Sequence, residues 1–379
     1  MNDCLARILT PVSRQDFLRH YGGREYLHIN RNDPAFYAEF LTAAGVDRFL
    51  ACDQLPAAFL NVVRDGKKCP IEAWSRVQTS ARGQETVAVT ERLLDLYGAG
   101  ATLILNRVHL SIPGLRDLCA DLTSEFGFLT QANVYLSPPG SAGFDRHADE
   151  HEVIVMQIAG SKHWQIFPGG ESVRDLEMRS GDLLFLPRGL SHAASTSVEG
   201  SIHVTVGLHP AYEFELVNQI VSMAKETADL GRPAPPAFAD QETRRNFDTA
   251  FRARLTDLLA RVTTAELLDR YYRAAVKQQP QAWPGRFSDL CDLAALTADS
   301  RVSRRRGILT HTRQDGRFLN VEFGERTVVV PAFLRGALDR ILGRESFAVR
   351  DLEGLLTDAG KIRLVREFVR TGLLQIEKL

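Results

Sequence analysis

The chain has few cysteines, and none of them are paired for chemistry. Cys4, Cys52, Cys69, Cys119 and Cys291 are odd in number and scattered, with no Cys-x-x-Cys. That excludes a disulfide framework and a thiolate zinc site and points to a reducing, cytoplasmic setting. No stretch approaches the roughly 18 uninterrupted apolar residues of a membrane helix, and the opening MNDCLARILTPVSRQ lacks a long apolar core. No membrane partner is expected. Net charge is nearly absent as well, with 46 Lys plus Arg against 47 Asp plus Glu, so the whole-chain field attracts neither nucleic acid nor an anionic surface. There is no Gly-x-Gly-x-x-Gly, no Walker loop and no Gly-x-Ser-x-Gly elbow, and the chemistries those strings carry leave no mark.

What is present is uneven along the 379 residues. The first ninety or so mix short helical patterns, PVSRQDFLRHYGG and PAFYAEFLTAAG, with an extended run at Leu60 to Arg64 and a helix-like stretch from Thr90 to Tyr97. From Ala101 to about Gly207 short β-rich runs follow one another between Gly and Pro: ATLILN, ANVYLSPPG, HEVIVMQIAG, KHWQIFPGG, GDLLFLPRG and SIHVTVG. Runs of that length predict an antiparallel sandwich or barrel. Beyond His209 the periodicity is helical. Phe214, Val217, Ile220 and Val221 mark one buried face, and Phe247, Phe251 and Leu255 another. Breaks at residues 231–240 and 278–285 set off a C-terminal piece with 16 basic and 11 acidic side chains over residues 299–379. In it TVVVP predicts a strand, and two helical stretches around Phe333 to Leu342 and Lys361 to Leu374 predict a small helix-turn-helix or winged-helix unit.

Seven of the ten histidines fall within residues 109–209. The string GFDRHADEHEVIVMQIAGSKHWQIF carries most of the information. In an extended chain His147 and Asp149 point to one side, so an imidazole nitrogen and a carboxylate oxygen can reach one ion. Downstream, GDLLFLPRGLSHAA offers His192. Two histidines and a carboxylate on one side of a metal form the facial triad of non-haem Fe(II) oxygenases. The competing pair His147 and His151 has Ala148 where a zinc peptidase needs Glu, and is set aside. Lys162 alternates with Trp164 and Ile166 on what would be an inward face, a costly place for a lysine without an anion. A small dicarboxylate would supply one; a surface lysine is the plain alternative. Asn133 and Tyr135 share a face of ANVYL, opposite Val134 and Leu136, and His203 and Thr205 share one in SIHVTVG, where they are expected behind the ligands.

The string NVYLSPPGSAGFDRHADEHEVIVMQIAGSKHWQIF, with GDLLFLPRGLSHAA behind it, resembles the JmjC-type cupin oxygenases, specifically the ribosomal-protein hydroxylases. The resemblance implies a mixed α+β chain with a double-stranded β-helix (jelly-roll) core. Residues 1–210 would be the oxygenase domain, with its β-rich core at about 97–207. Residues 211–297 would be a helical dimerisation region and 298–379 a winged helix. It implies His147, Asp149 and His192 as Fe(II) ligands, Lys162 as the cation for the far carboxylate of 2-oxoglutarate, and Asn133 and Tyr135 as further cosubstrate contacts, with O2 as the second cosubstrate. Succinate formation would be coupled to hydroxylation of a protein or peptide side chain, an Arg or His of a ribosomal protein by the family's habit. Two departures stand out: a short interval between Asp149 and His192, and Gly207 where relatives often carry a hydroxyl. The alternatives are a hydroxylase of a peptide natural product and a non-catalytic cupin sensor that contacts nucleic acid through Arg301, Arg304, Arg305 and Arg306. Acidic residues interrupt that basic face, so direct nucleic-acid binding is not expected.

Overall fold

The computed structural model describes residues 4–377 apart from 32, 52–54, 81–82, 142, 170–171, 227–229, 280–282, 344 and 355. Part of the break at 278–285 therefore lies outside the described residues. The chain divides into two compact units, Met1–His209 and Pro210–Leu379.

In the first unit the chain runs through α1 (Cys4–Leu9), α2 (Arg14–Gly23), β1 (Leu27–Ile29), α3 (Ala43–Leu50), β2 (Leu60–Arg64), β3 (Lys67–Lys68), β4 (Ser75–Ser80), β5 (Gly83–Ala88) and α4 (Thr90–Gly98). It continues through β6 (Thr102–Leu105), α5 (Pro113–Phe126), β7 (Thr130–Ser137), β8 (Glu152–Gly169), β9 (Ser172–Arg179), β10 (Leu183–Leu186) and β11 (Ser191–Leu208). Nine of the strands form one antiparallel sheet in the order β1-β10-β8-β11-β7-β6-β2-β3, with β9 also paired to β8. β7 shows why: Ala132, Val134 and Leu136 are buried on one face and the alternating Gln131, Asn133 and Tyr135 half-buried on the other. α5 starts on Pro113 and closes on Gly127 in the left-handed region, and it buries Leu115, Leu118, Cys119 and Leu122 at helical spacing.

β8 and β11 each span 18 residues and pair along most of their length. The first half of β8 also pairs with β10, the second with β9. Register shifts between Thr196 and Ser201, and again between Ile202 and His203, bend the pair. The bend passes through Gly160, at φ +66, where a Cβ would lie 1.8 Å from the Gly200 carbonyl oxygen. No other residue fits there. Gly160→Ala should lower stability by at least about 2 kcal/mol, the left-handed penalty plus the clash, read as a shifted denaturant midpoint; an unchanged midpoint would mean that the bend does not depend on it.

Two sequence expectations need correction here, and one strand was not anticipated. HEVIVMQIAG and KHWQIFPGG are one bent strand, not two. PAFYAEF is not helical: the amides of Phe36, Ala38 and Phe40 reach back three residues to Asp33, Ala35 and Tyr37, and helix begins only at Ala43. β9 gave no signal because it is polar and largely exposed along one edge.

The second unit holds α6 (Glu213–Glu226), α7 (Gln241–Arg261), α8 (Thr264–Gln278) and α9 (Arg286–Asp292), then β12 (Arg301–Arg304), β13 (His311–Asp315), β14 (Phe318–Phe323), β15 (Arg326–Pro331), α10 (Arg335–Leu342), β16 (Phe347–Ala348), α11 (Asp358–Thr371) and β17 (Leu374–Ile376). β13-β14-β15 is a meander, and β12 lies between β16 and β17 in a second small sheet. The expected helices are there, but the faces read as buried are not. Phe214, Val217 and Val221 of α6 are 48, 56 and 49% exposed, and Phe251 and Leu255 of α7 are 40 and 36% exposed. The arginine run is engaged within this unit. Arg305 is buried on Asp289 and the Pro284 carbonyl, Arg304 donates to the carbonyls of Leu342 and Ile308, and Arg301 meets Ser346 and Glu377.

Candidate active site

In the first unit, strands β2, β6, β7, β8, β10 and β11 line a cleft with about 60 Å³ of space for water-sized groups. His147, Asp149 and His192 converge in it, each offering a donor atom within 4.8 Å of the others. Although 147 and 192 are far apart in sequence, their main chains exchange two hydrogen bonds, 3.0 and 2.8 Å, as an isolated antiparallel bridge. That bridge sets the imidazole centroids 4.4 Å apart. Asp149 Oδ2 lies 3.7 Å from His192 Nε2.

Both rings are turned the same way. His147 Nδ1 donates to the Asp145 carbonyl at 2.9 Å and His192 Nδ1 to the Leu190 carbonyl at 3.0 Å. With the proton held at Nδ1, each Nε2 lone pair is left for an ion. Burial holds His192 below the usual imidazole range, so it is neutral near pH 7, the state a metal needs. The donor set, two imidazoles and one carboxylate gathered on one side, fits Fe(II).

Deeper in the cleft, Lys162 is 3% exposed, and its Nζ donates to Ser137 Oγ at 3.0 Å. Thr102 Oγ1 donates to the same oxygen at 3.1 Å. Among the described residues no carboxylate pairs with Lys162, and burial pushes its ammonium down to about 7. A cation so placed is completed by an anionic ligand. Tyr135 lines the cleft beside it, its phenol pushed up to about 12 by burial.

Five of the six residues singled out from the sequence therefore meet in one cleft. Asn133 does not line it: its Oδ1 accepts the Arg107 amide at 2.9 Å. His203 and Thr205 line the cleft itself, rather than standing behind its wall. Ser137, Thr102 and Phe144 were not anticipated. Ser137 continues the Asn133 and Tyr135 alternation, a signal that was there to be read. At Gly207 a Cβ would lie 2.9 Å from His151 Nε2, so an imidazole stands where a side chain would project. The remaining histidines of the region lie elsewhere: His163 meets Asp175, His109 accepts the Ala132 amide, and His151 packs against His209.

The JmjC domain family matches residues 112–171 and 167–216, the segment that supplies the triad and Lys162. Residues 112–216 are thus similar to a JmjC domain. The chain is 25% identical over 249 residues to the bifunctional lysine-specific demethylase and histidyl-hydroxylase NO66 of Drosophila willistoni, covering 59% of this chain and 31% of that one. To NO66 of Culex quinquefasciatus it is 24% identical over 377 residues, 89% and 55% of the two chains. To ribosomal oxygenase 1 of Gallus gallus it is 26% identical over 220 residues, 52% and 35%. It thus spans between a third and about half the length of these relatives. Among solved structures, the Escherichia coli ribosomal oxygenase YcfD in complex with cobalt and 2-oxoglutarate superposes with a TM-score of 0.54 at 15% identity, covering 97% of this chain and 99% of that one. The cobalt and succinic acid complex gives 0.56, also at 15% identity and 97% and 99% coverage. The segment matched to the JmjC family therefore sits in a chain whose fold is similar to that of YcfD over 97% of its length.

Proposed function

We propose that this chain is an Fe(II)- and 2-oxoglutarate-dependent hydroxylase of a protein or peptide side chain. One observation carries the reading: a single cleft holds a His/Asp/His cluster and a buried ammonium with no carboxylate partner among the described residues. The names of the relatives, histidyl-hydroxylase and ribosomal oxygenase, and the YcfD complex with cobalt and 2-oxoglutarate support the same chemistry. When bound, the iron and the 2-oxo acid would supply, with O2, the oxidant for a C–H bond, releasing succinate. His147, Asp149 and His192 would hold the metal from one side and leave the other open. Lys162, steadied by Ser137 and Thr102, would neutralise the far carboxylate and fix the cosubstrate's orientation. Ile104, Phe144, Val153 and Leu186 wall the cleft with apolar surface and exclude water.

A ribosomal protein is the substrate suggested by the relatives' names. Among the described residues no carboxylate lines the cleft besides Asp149, which favours an uncharged imidazole over a guanidinium, a group that cannot shed its charge. The same reading takes residues 1–210 as the oxygenase domain, 211–297 as a dimerisation region and 298–379 as a winged helix, working in the cytoplasm. No described helix is long and apolar enough to cross a membrane. The exposed apolar faces of α6 and α7 support a homodimer, and α10 and α11 around the β16-β12-β17 sheet support the winged helix. In sedimentation the chain should therefore run at twice its 42.2 kDa, and Val217→Lys with Leu255→Lys should make it a monomer; an unchanged mass would remove those faces from the interface.

The hydroxylase reading is tested by incubating the protein with Fe(II), ascorbate, oxygen, 2-oxoglutarate and ribosomal proteins beside a His147→Ala control. Succinate that requires His147, with the mass gain of one oxygen on a ribosomal protein, is expected. No succinate from a protein with iron demonstrably bound, together with no binding when 2-oxoglutarate is titrated into the anaerobic iron complex, would refute it.

A further inference from the structure

The inner cleft holds a second basic side chain that the hydroxylase reading has not used. His203 is 2% exposed and lines the cleft. Its ring is fixed on two sides. It stacks on Tyr135, its partner in the β11–β7 register, at 4.6 Å and 10°, and meets Trp164 edge-on at 5.8 Å and 75°.

Its two nitrogens differ. Nδ1 is enclosed and has no hydrogen-bond partner, whereas Nε2 is neither enclosed nor bonded to any described residue, and so opens on the cleft. An N–H walled off without an acceptor costs its full desolvation, so the proton belongs on Nε2, where a ligand oxygen can accept it. Burial, with the Lys162 charge beside it, keeps the ring far below the usual imidazole range and therefore neutral. A neutral Nε2–H near a buried ammonium makes a two-donor cradle for one anionic group, and among the described residues lining the cleft the sole carboxylate is Asp149.

We propose that His203 is a cosubstrate-binding residue whose Nε2–H donates to the carboxylate that Lys162 neutralises, so that selection for a carboxylate-terminated 2-oxo acid rests on both. The proposal builds on the hydroxylase reading. It is tested on the full chain loaded with Fe(II) under anaerobic conditions, titrated with 2-oxoglutarate and, separately, with 2-oxovalerate, which has the same carbon chain without the terminal carboxylate.

Replacing His203 by Phe should weaken 2-oxoglutarate about tenfold or more, as loss of a hydrogen bond to a charged group does, and leave 2-oxovalerate unchanged. His203→Gln keeps an N–H donor and should stay within a few-fold of the wild type. If the Phe variant does not fold, His203→Met fills similar volume without a donor and is read the same way. Equal weakening of both acids would show a packing role, and no weakening of either would show no role; each overturns the proposal. Wild-type protein that holds iron but not 2-oxoglutarate would instead overturn the hydroxylase reading beneath it.

Discussion

Asp149→Ala should yield a folded protein that no longer retains Fe(II) through dialysis and forms no measurable succinate, a loss well beyond about 100-fold. Outer partners of metal ligands already cost 10- to 100-fold when removed, and Asp149 would be a direct ligand and the only anionic one. Folding should survive, because the side chain is 34% exposed and its removal opens no cavity in the core. Charge reasoning separates this outcome from an indirect one. Asp149 raises the His192 affinity for a proton while burial lowers it; without Asp149, His192 is held still more firmly neutral. Loss of iron could not then be ascribed to a protonated imidazole. Iron content by a colorimetric chelator, with far-UV circular dichroism as the folding control, checks both halves. Wild-type iron occupancy in the variant would remove Asp149 from the metal site.

How much of this site could be read beforehand depended on the range of the interaction involved. His147 and Asp149 are two residues apart on one extended segment, so strand parity alone placed them together. His192 joins them through a main-chain bridge to His147, and no local pattern specifies that register; only the downstream string resembling a known family pointed to it. For Lys162, alternation with Trp164 left an inward and a surface position both open, and the fold buries it. What could not be read was that Val153 and Val155, of opposite parity, line the same cleft. The bend at Gly160 changes which parity faces inward, and a glycine inside an apolar run reads as a break between two strands rather than a turn within one. For Asn133 parity was right about the face but silent about the partner, because the Arg107 amide arrives from a different loop. The helices beyond His209 were legible from spacing, yet spacing reports only that a face is apolar. Whether that face meets the same chain or another one is a tertiary fact, and on α6 and α7 it is left exposed.

Binding of 2-oxoglutarate to the iron-loaded protein should weaken as pH rises above about 7 and should be accompanied by proton uptake. Burial lowers Lys162 from 10.5 to about 7. Below that value the free protein already carries the ammonium, and affinity should be flat. Above it the free side chain is neutral and must take up a proton to meet the incoming carboxylate, whose presence raises its pKa again. Affinity then falls with pH by up to about tenfold per unit, until the pKa of the complex is reached. The stability of the ligand-free protein moves the other way. Between about 7 and 10.5 the unfolded chain binds the proton that the fold rejects, so folding gains as pH rises through that window. Lys162→Met should remove both dependences, weaken 2-oxoglutarate by about 10- to 100-fold at pH 7, and leave the ligand-free protein at least as stable, since it deletes a buried charge and keeps the volume. Anaerobic calorimetry in buffers of different ionisation enthalpy measures the proton uptake directly. A wild-type affinity that is level from pH 7 to 9, or a Met variant that keeps the wild-type slope, would take the far carboxylate away from Lys162.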